Sequence, residues 1–276
     1  MRLSIITVCY NAALTIENTL ISVKKLKEVD KNIEYIIVDG KSKDDTNTII
    51  SKYKDIVDKY ISEPDKGLYD ALNKGIKLSS SEWVMLLAAD DCIIVNGIQS
   101  FRKTLKSETE IWCGSVVCRD CNGYYIFRSS NELDKLKNNC VLRNPASVFR
   151  KSIFEKYGYY DTDFKCNGDG ELFYRMYINK VKFQIEDVPM VVFGMDGMSS
   201  DSIKYAIPER AMIYEKYGLK SDKDIIKWEK KAIKKARIKQ LLKKIKLVRM
   251  LTTKRKNFLS KEDLAKIGIT EYIHNY

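Results

Sequence analysis

Strand-like and helix-like segments alternate through the first hundred residues, and few folds accommodate that pattern. "LSIITVCY" is apolar and β-branched, the signature of a strand buried on both faces. "LTIENTLISVKKLK" follows with helical spacing at Leu14, Ile16, Leu20, Val23 and Leu26. The order then repeats: "IEYIIVDG" as strand, "DDTNTIISKYK" as helix, "DKYISEPD" ending a strand, "GLYDALNKGIKLS" as helix and "WVMLLAADD" as strand. Such alternation predicts βαβ units, hence an α/β fold with a mainly parallel sheet and helices on both faces.

The middle of the chain is more mixed. "IWCGSVVC" and "GYYIFRS" read as strands paired through a polar turn at 120–123. "RKSIFEKYG" is a short helix closed by Gly158, "GDGELFYRMYINK" is a longer one, and "VKFQIEDVPMVVF" is one strand or two. From Lys204 onward the pattern is helical. The expected organisation is a domain over 1–202, with halves 1–95 and 96–202, and a helical extension over 203–276.

The net charge of +12 is confined to that extension. Residues 223–256 hold 15 Lys and Arg against Asp224 and Glu229, which is +13 and leaves the rest of the chain at −1. Seven cysteines, an odd count at irregular spacing in a long chain, imply reduced thiols and no disulfide framework. The lone Cys118–Cys121 pair lacks the second pair a zinc site needs, and His274 is the one histidine. No run of about 18 apolar residues crosses a membrane, and the N-terminus carries no signal-like segment, so a cytoplasmic protein is expected.

In an open parallel sheet ligands bind at the carboxyl ends of the strands. Those ends are polar in succession: Cys9-Tyr10-Asn11, Asp39-Gly40-Lys41-Ser42, Glu63-Pro64-Asp65-Lys66-Gly67 and Asp90-Asp91. Each alone reads as a turn; four on one rim read as a site. No GxGxxG follows the first strand and no GxxxxGK[ST] occurs, which argues against a nicotinamide Rossmann enzyme or a P-loop NTPase. Asp90 and Asp91 are adjacent carboxylates at the end of an apolar run. A shared Mg2+ or Mn2+ would remove their repulsion and neutralise a phosphorylated ligand. A second acidic cluster, Asp169 and Glu171, opens a helix between Gly168 and Gly170. Capping accounts for one acid, but not for two glycines that bring backbone close to something.

These residues resemble a family. "SIITVCYNA", "YIIVDGKSKDDT", "SEPDKGLYDALNKGI" and "LLAADD" are similar to the nucleotide-sugar half of family 2 inverting glycosyltransferases with the GT-A fold. The third stretch resembles a bacterial subgroup that builds surface polysaccharides, including colanic acid and O-antigen transferases. The likeness continues through "RNPASVFRKSIFEKYGYYDTDFKCNGDGELFYRM" and "FGMDGMSS", to about residue 200. It implies that Asp39 contacts uracil, with Thr7, Tyr10, Asn11 and Ser42 nearby. Asp65, Lys66, Gly67, Tyr69 and Asn73 would be further nucleotide-sugar contacts, and Asp90, the second acid of a DxD motif, would grip the diphosphate through a metal. Asp169 would be the general base, with Glu171 the acid two residues on. Asp196 to Ser200 would form a loop over the donor. Ala88 stands where the first DxD acid usually is, Asn144 where a His is common, and Asp196 where a Gly is usual.

The chemistry fits the residue types. A base must deprotonate an acceptor hydroxyl as it attacks the anomeric carbon, and the leaving diphosphate needs positive charge. One displacement inverts the centre. The resemblance implies a UDP-sugar as donor and a polyprenyl-diphosphate-linked glycan as acceptor. In "IKKARIKQLLKKIKLVRML" the residues Ile238, Leu241, Leu242, Ile245 and Val248 share one stripe of a basic helix. Three readings of it stand: a solvated helix face, a nucleic-acid contact without the expected aromatics, or an anionic membrane surface. The family's lipid-linked acceptors favour the last, with the enzyme peripheral on the inner face of the plasma membrane and no nucleic acid bound. Self-association is a further reading. The competing function is a catalytically weak GT-A-like protein that binds a glycan or a partner. A nucleotidyltransferase would need a basic glycine-rich loop after the first strand, and "CYNAALT" offers none.

Overall fold

The computed structural model describes residues 1–120, 123–194, 202–243 and 258–269. The expected loop at Asp196 to Ser200, Cys121, His274 and the stripe beyond Ile238 lie outside the residues whose side chains it describes.

The alternation in the first half forms four parallel strands: β1 (Leu3–Cys9), β2 (Ile33–Asp39), β3 (Lys59–Ser62) and β4 (Trp83–Ala88). Every residue of β1 and β2 is buried, as a sheet covered on both faces requires. Helices α1 (Ile16–Val29), α2 (Thr46–Ser51) and α3 (Leu68–Leu78) connect them. The remaining strands are β5 (Cys92–Ile93), β6 (Ile111–Asp120), β7 (Gly123–Phe127), β8 (Ser147–Arg150) and β9 (Phe183–Phe193). Together they make one sheet in the order β3-β2-β1-β4-β8-β6-β9-β5, with β7 beside β6. β8 runs antiparallel to β4 and β6, so the second half is mixed while the first is parallel. β6 and β7 pair antiparallel as expected, with Asp120 opposite Gly123. "VKFQIEDVPMVVF" gives one strand, whose register on β6 slips beside Pro189, a residue with no amide hydrogen to donate.

Side-chain alternation divides the core between the two faces. Leu3 and Ile5 of β1 pack with Leu20 and Val23 of α1 and with Phe101 of α4 (Val95–Thr104). Ile6 and Val8 point the other way, onto Leu72 and Ile76 of α3. At the amino ends of the strands, buried Glu34 accepts hydrogen bonds from Ser4 and Ser80 and pairs with Lys59. Those partners hold its carboxyl at about 2 against burial, its largest influence, which works upward. That end is closed by structural contacts, which leaves the carboxyl ends for a ligand.

The second face is completed by α5 (Ser152–Tyr157), α6 (Gly168–Ile178) and α7 (Ile207–Lys216). Ile213 and Tyr214 of α7 are buried, Ile213 within that core. The helical segment after residue 202 therefore begins as an integral part of the domain. Further on, Leu264 of α9 (Lys261–Lys266) and Ile269 pack on Cys92 and Val117, and Leu259 N–H bonds the Tyr124 carbonyl at 2.7 Å. α8 (Asp222–Lys243) is the exposed element, although Trp228 sets its ring edge-on to Tyr214 with 4.9 Å between centroids. Among the described residues no helix is long and apolar enough to cross a membrane.

Candidate active site

In the order β3-β2-β1-β4 the chain winds outward from β1 and then crosses back, so the strand order reverses at β1 and β4. Around this point the loops after β1, β2 and β3 converge. Asp39 ends β2 fully buried, and its carboxylate accepts Ser42 N–H at 3.1 Å, the Ser42 hydroxyl and the Ser62 hydroxyl at 2.5 Å. Asn11 lies in the left-handed region (φ 49), a conformation Asn tolerates. Its N–H donates to Ser42 Oγ at 2.8 Å and its Oδ1 accepts Lys43 N–H at 2.9 Å, so the loops after β1 and β2 are laced together.

Gly40 is the point of closest approach. A Cβ there would lie 2.4 Å from Asp65 Oδ2 and 3.4 Å from the Tyr10 ring. Three strand ends thus meet at one glycine, with the Tyr10 side 58% exposed. Asp65 Oδ1 accepts Gly67 N–H at 2.8 Å, and Gly67 (φ 126) starts α3. The Lys66 carbonyl accepts Lys165 Nζ at 3.0 Å.

Three residues expected on this rim face the interior instead. Thr7 is fully buried, and its hydroxyl accepts Tyr35 Oη–H at 3.1 Å. It shares the face of Leu3 and Ile5, a face a strand turns toward the core. Asn73 spends its amide on the backbone of Tyr160, donating to the carbonyl at 2.8 Å and accepting N–H at 2.9 Å. Tyr69, one helical turn earlier, is buried and stacks on the Tyr160 ring at 5.3 Å.

Asp90 and Asp91 also part company. The chain turns after β4, with Asp91 N–H donating to the Ala88 carbonyl at 3.2 Å, and then enters β5. Asp90 stays half-buried beside Gly194, where a Cβ would come within 2.6 Å of its Oδ2. Asp91 is fully buried under α1. Thr19 Oγ1 donates to its carbonyl at 2.7 Å, and Gly194 N–H donates to its Oδ1 at 3.0 Å. Among the described residues its Oδ2 has no hydrogen-bond partner, and burial, then the charge of Asp90, pushes its carboxyl well above the usual carboxylate range. A proton held by Asp91 would relieve the repulsion within the pair. Of the two acids expected to share a metal, half-buried Asp90 is the better placed to meet a ligand, while Asp91 is fully buried. Among the described residues no group of three His, Cys, Asp or Glu could hold a metal. Asp90 alone still suits Mg2+ or Mn2+, ions that commonly bind through one or two carboxylates and take their other oxygens from phosphates and water.

Asp169 lies in the first turn of α6. Its N–H donates to the Tyr69 hydroxyl at 3.3 Å, and its Oδ1 accepts Gly170 N–H at 2.8 Å. Gly168 allows α6 to sit directly on the Tyr69 ring, since a Cβ would meet that ring at 2.7 Å. Burial pushes the Asp169 carboxyl up, and the Gly170 amide, Arg210 and Arg143 pull against it without cancelling it. A carboxylate with raised proton affinity is suited to accept a proton. Glu171 does not join it. Two residues along a helix is about 200° around the axis, so Glu171 faces the opposite side. There, fully buried, it binds Arg175 at 3.0 Å, Lys216 at 2.9 Å and the Tyr217 hydroxyl at 2.5 Å.

The two regions touch through α3. Asp65 binds the N–H of Gly67, and two residues further on Tyr69 supports Asp169. Arg143, Arg210, Glu209 and Lys165, which no sequence pattern singled out, also gather here; Arg143 lies over the Phe127 ring at 3.5 Å.

Comparison with known proteins identifies the family and the fold. Residues 4–178 match the profile described as Glycosyl transferase family 2. A poly-beta-1,6-N-acetyl-D-glucosamine synthase of Staphylococcus epidermidis is 31% identical over 186 residues, 58% of this chain and 42% of the relative. The chain thus spans less than half the length of that protein. A PGL/p-HBAD biosynthesis glycosyltransferase of Mycobacterium bovis is 25% identical over 182 residues, 64% of this chain and 70% of the relative. Among solved structures, S. aureus TarS 1–349 in complex with UDP-GlcNAc superposes with a TM-score of 0.60 at 16% identity, covering 77% of this chain and 66% of that one. The mannosyltransferase PcManGT of Pyrobaculum calidifontis, in complex with GDP-Man and Mn2+, gives 0.58 at 17% identity, covering 80% and 65%. At such identity these likenesses speak to fold, and the fold is GT-A.

Proposed function

The chain belongs to glycosyl transferase family 2, and we propose that it transfers a hexosyl or N-acetylhexosaminyl group from a UDP-sugar, with inversion, to a lipid-linked or glycan acceptor in surface-polysaccharide synthesis. The observation that carries this reading is the contact path from the Tyr10–Gly40–Asp65 cradle through Gly67 and Tyr69 to Asp169. It links the polar rim at the strand ends to a carboxyl of raised proton affinity. The UDP-GlcNAc in TarS and the name of the staphylococcal synthase support the donor class.

In this reading the base lies near Tyr10 and Asp39, and the sugar points toward Asp169. Asp169 takes the proton of the acceptor hydroxyl as that oxygen attacks the anomeric carbon. An α-linked donor gives a β-linkage. A cation on Asp90 would supply positive charge to the diphosphate. Calorimetric titration of UDP with Mn2+ or Mg2+ tests the metal assignment. Asp90→Ala should weaken metal-dependent binding by about tenfold or more, roughly 1.4 kcal/mol. Asp91→Asn, a change behind α1, should leave it within about twofold. Wild-type affinity in Asp90→Ala would sink the assignment of that residue.

The same proposal places the protein on the inner face of the plasma membrane through residues 223–256. α8 supports this, because Ile226 and Ile238 stand 51% and 48% exposed on a helix rich in Lys. Liposomes containing phosphatidylserine should sediment the protein at low salt and release it as salt rises. Charge-reversal variants of α8 (Lys230→Glu with Lys234→Glu) that sediment equally well would remove the membrane contact.

A further inference from the structure

α7 carries adjacent residues that both reach the first turn of α6. Glu209 is 6% exposed. Its carboxylate accepts three successive backbone amides, Lys165 at 2.7 Å, Cys166 at 2.9 Å and Asn167 at 2.6 Å. Asn167 is the N-cap of α6, and its Nδ2 donates back to the carbonyl of Ala206, the N-cap of α7. Two helix N-termini therefore converge on one carboxylate. Each leaves amide hydrogens without intrahelical partners, and each favours negative charge.

Arg210 is also 6% exposed. Its Nη1 makes a long bond, 3.5 Å, to the Leu136 carbonyl, and its Nη2 lies 3.0 Å from where a Cβ on Gly170 would be. Both glycines that flank Asp169 now have a reason. Gly168 admits the Tyr69 ring and Gly170 admits the Arg210 guanidinium. Asp169 stands between a phenol that takes its N–H and a cation that favours its ionised form.

We propose that Glu209 and Arg210 are positioning residues for Asp169: Glu209 fixes the backbone that enters α6, and Arg210 sets the charge beside the Asp169 carboxylate. This rests on the reading of Asp169 as the base. The other titratable groups facing Asp169 are Tyr69, Tyr160, Cys140, Cys166 and Arg143. The two tyrosines and two cysteines are all pushed upward by burial, so at neutral pH they are uncharged and the arginines supply the local positive charge.

The test uses the full chain and two readouts that need no turnover. Hydrogen–deuterium exchange should show the amides of residues 165–167 exchanging at least about tenfold faster in Glu209→Ala, with α1 unchanged and partial rescue in Glu209→Gln. A ¹³C-carboxyl titration, with Asp169 assigned through Asp169→Asn, should place its midpoint about one pH unit higher in Arg210→Gln and near wild type in Arg210→Lys. The sign follows from charge, because removing a cation lets the carboxyl keep its proton to higher pH. Release of UDP from UDP-GlcNAc should fall at least about tenfold in kcat for Glu209→Ala, with KM within about twofold. Unchanged exchange in Glu209→Ala, or an unmoved or lowered midpoint in Arg210→Gln, overturns the proposal. Full turnover by Asp169→Asn would instead remove the base assignment, and the exchange and titration results would stand apart from it.

Discussion

Replacing Asp169 with Asn should lower the rate of sugar transfer by about a thousandfold, within the 10²–10⁴ a general base contributes, while UDP affinity stays within about twofold. The substitution is isosteric. The Gly170 amide can still donate to the side-chain oxygen, and the bond to Tyr69 uses the backbone of residue 169, so the helix start is retained. What disappears is the basic lone pair. Burial is the largest influence on this carboxyl and raises it above the ordinary 3.8, so wild-type kcat should fall on the acid side as Asp169 protonates. The variant's residual rate should lack that limb. Single-turnover transfer from UDP-GlcNAc to a glycan acceptor, followed across pH, reads both effects. A variant that transfers at the wild-type rate, or one whose loss is entirely in UDP binding, would move the base elsewhere.

The parallel half of the sheet was legible because a strand buried on both faces leaves a continuous apolar run and its turns leave polar clusters. Tyr10, Asn11, Asp39, Ser42 and Asp65 lie on one rim for that reason. Directions were harder to read than positions. Thr7 shares the strand face of Leu3 and Ile5, while Tyr69 and Asn73 lie one turn apart beside Leu72 and Ile76, so both sets carry the periodicity of the core. That periodicity is local information, and it outweighs the polarity of a single side chain. The same geometry separates Asp169 from Glu171 on α6.

What the sequence could not show depends on contacts distant along the chain. Glu209 meets residues 165–167 across more than forty positions, and Asp91 finds its amide donor at Gly194. No spacing rule connects such residues. The basic count of residues 223–256 made everything after residue 202 look like an appendage. Yet α7 is acidic and basic residues around a buried Ile213–Tyr214 face, and its charges serve the helix that carries Asp169. Net charge averaged over a segment hides such pairing.

Glu171→Ala should cost about 3–5 kcal/mol of stability, the usual result of leaving a buried charge without its partner, and lower Tm by roughly 10 °C. The carboxylate is fully buried and holds together three partners on two elements: Arg175 on α6, Lys216 at the end of α7 and Tyr217 just beyond it. Arg175 in turn donates to the carbonyls of Tyr157, Gly158 and Tyr159, so loss of Glu171 loosens the chain after α5 as well. Glu171→Gln should cost less, since an amide oxygen can keep the Tyr217 hydroxyl bond, but it abolishes the charge that Arg175 and Lys216 require. Burial pushes this carboxyl up, and the bonds from Arg175, Tyr217 and Lys216 outweigh it and hold it below the ordinary 4.5. A depressed carboxyl stabilises the fold above its unfolded value, and that contribution is lost as pH falls through the folded one. The gap between wild type and Glu171→Gln should therefore be full at neutral pH and narrow below about pH 4.5. Urea unfolding at several pH values measures it. Turnover per folded molecule in Glu171→Gln should stay near wild type, and a variant of unchanged stability with lost turnover would return Glu171 to the active site.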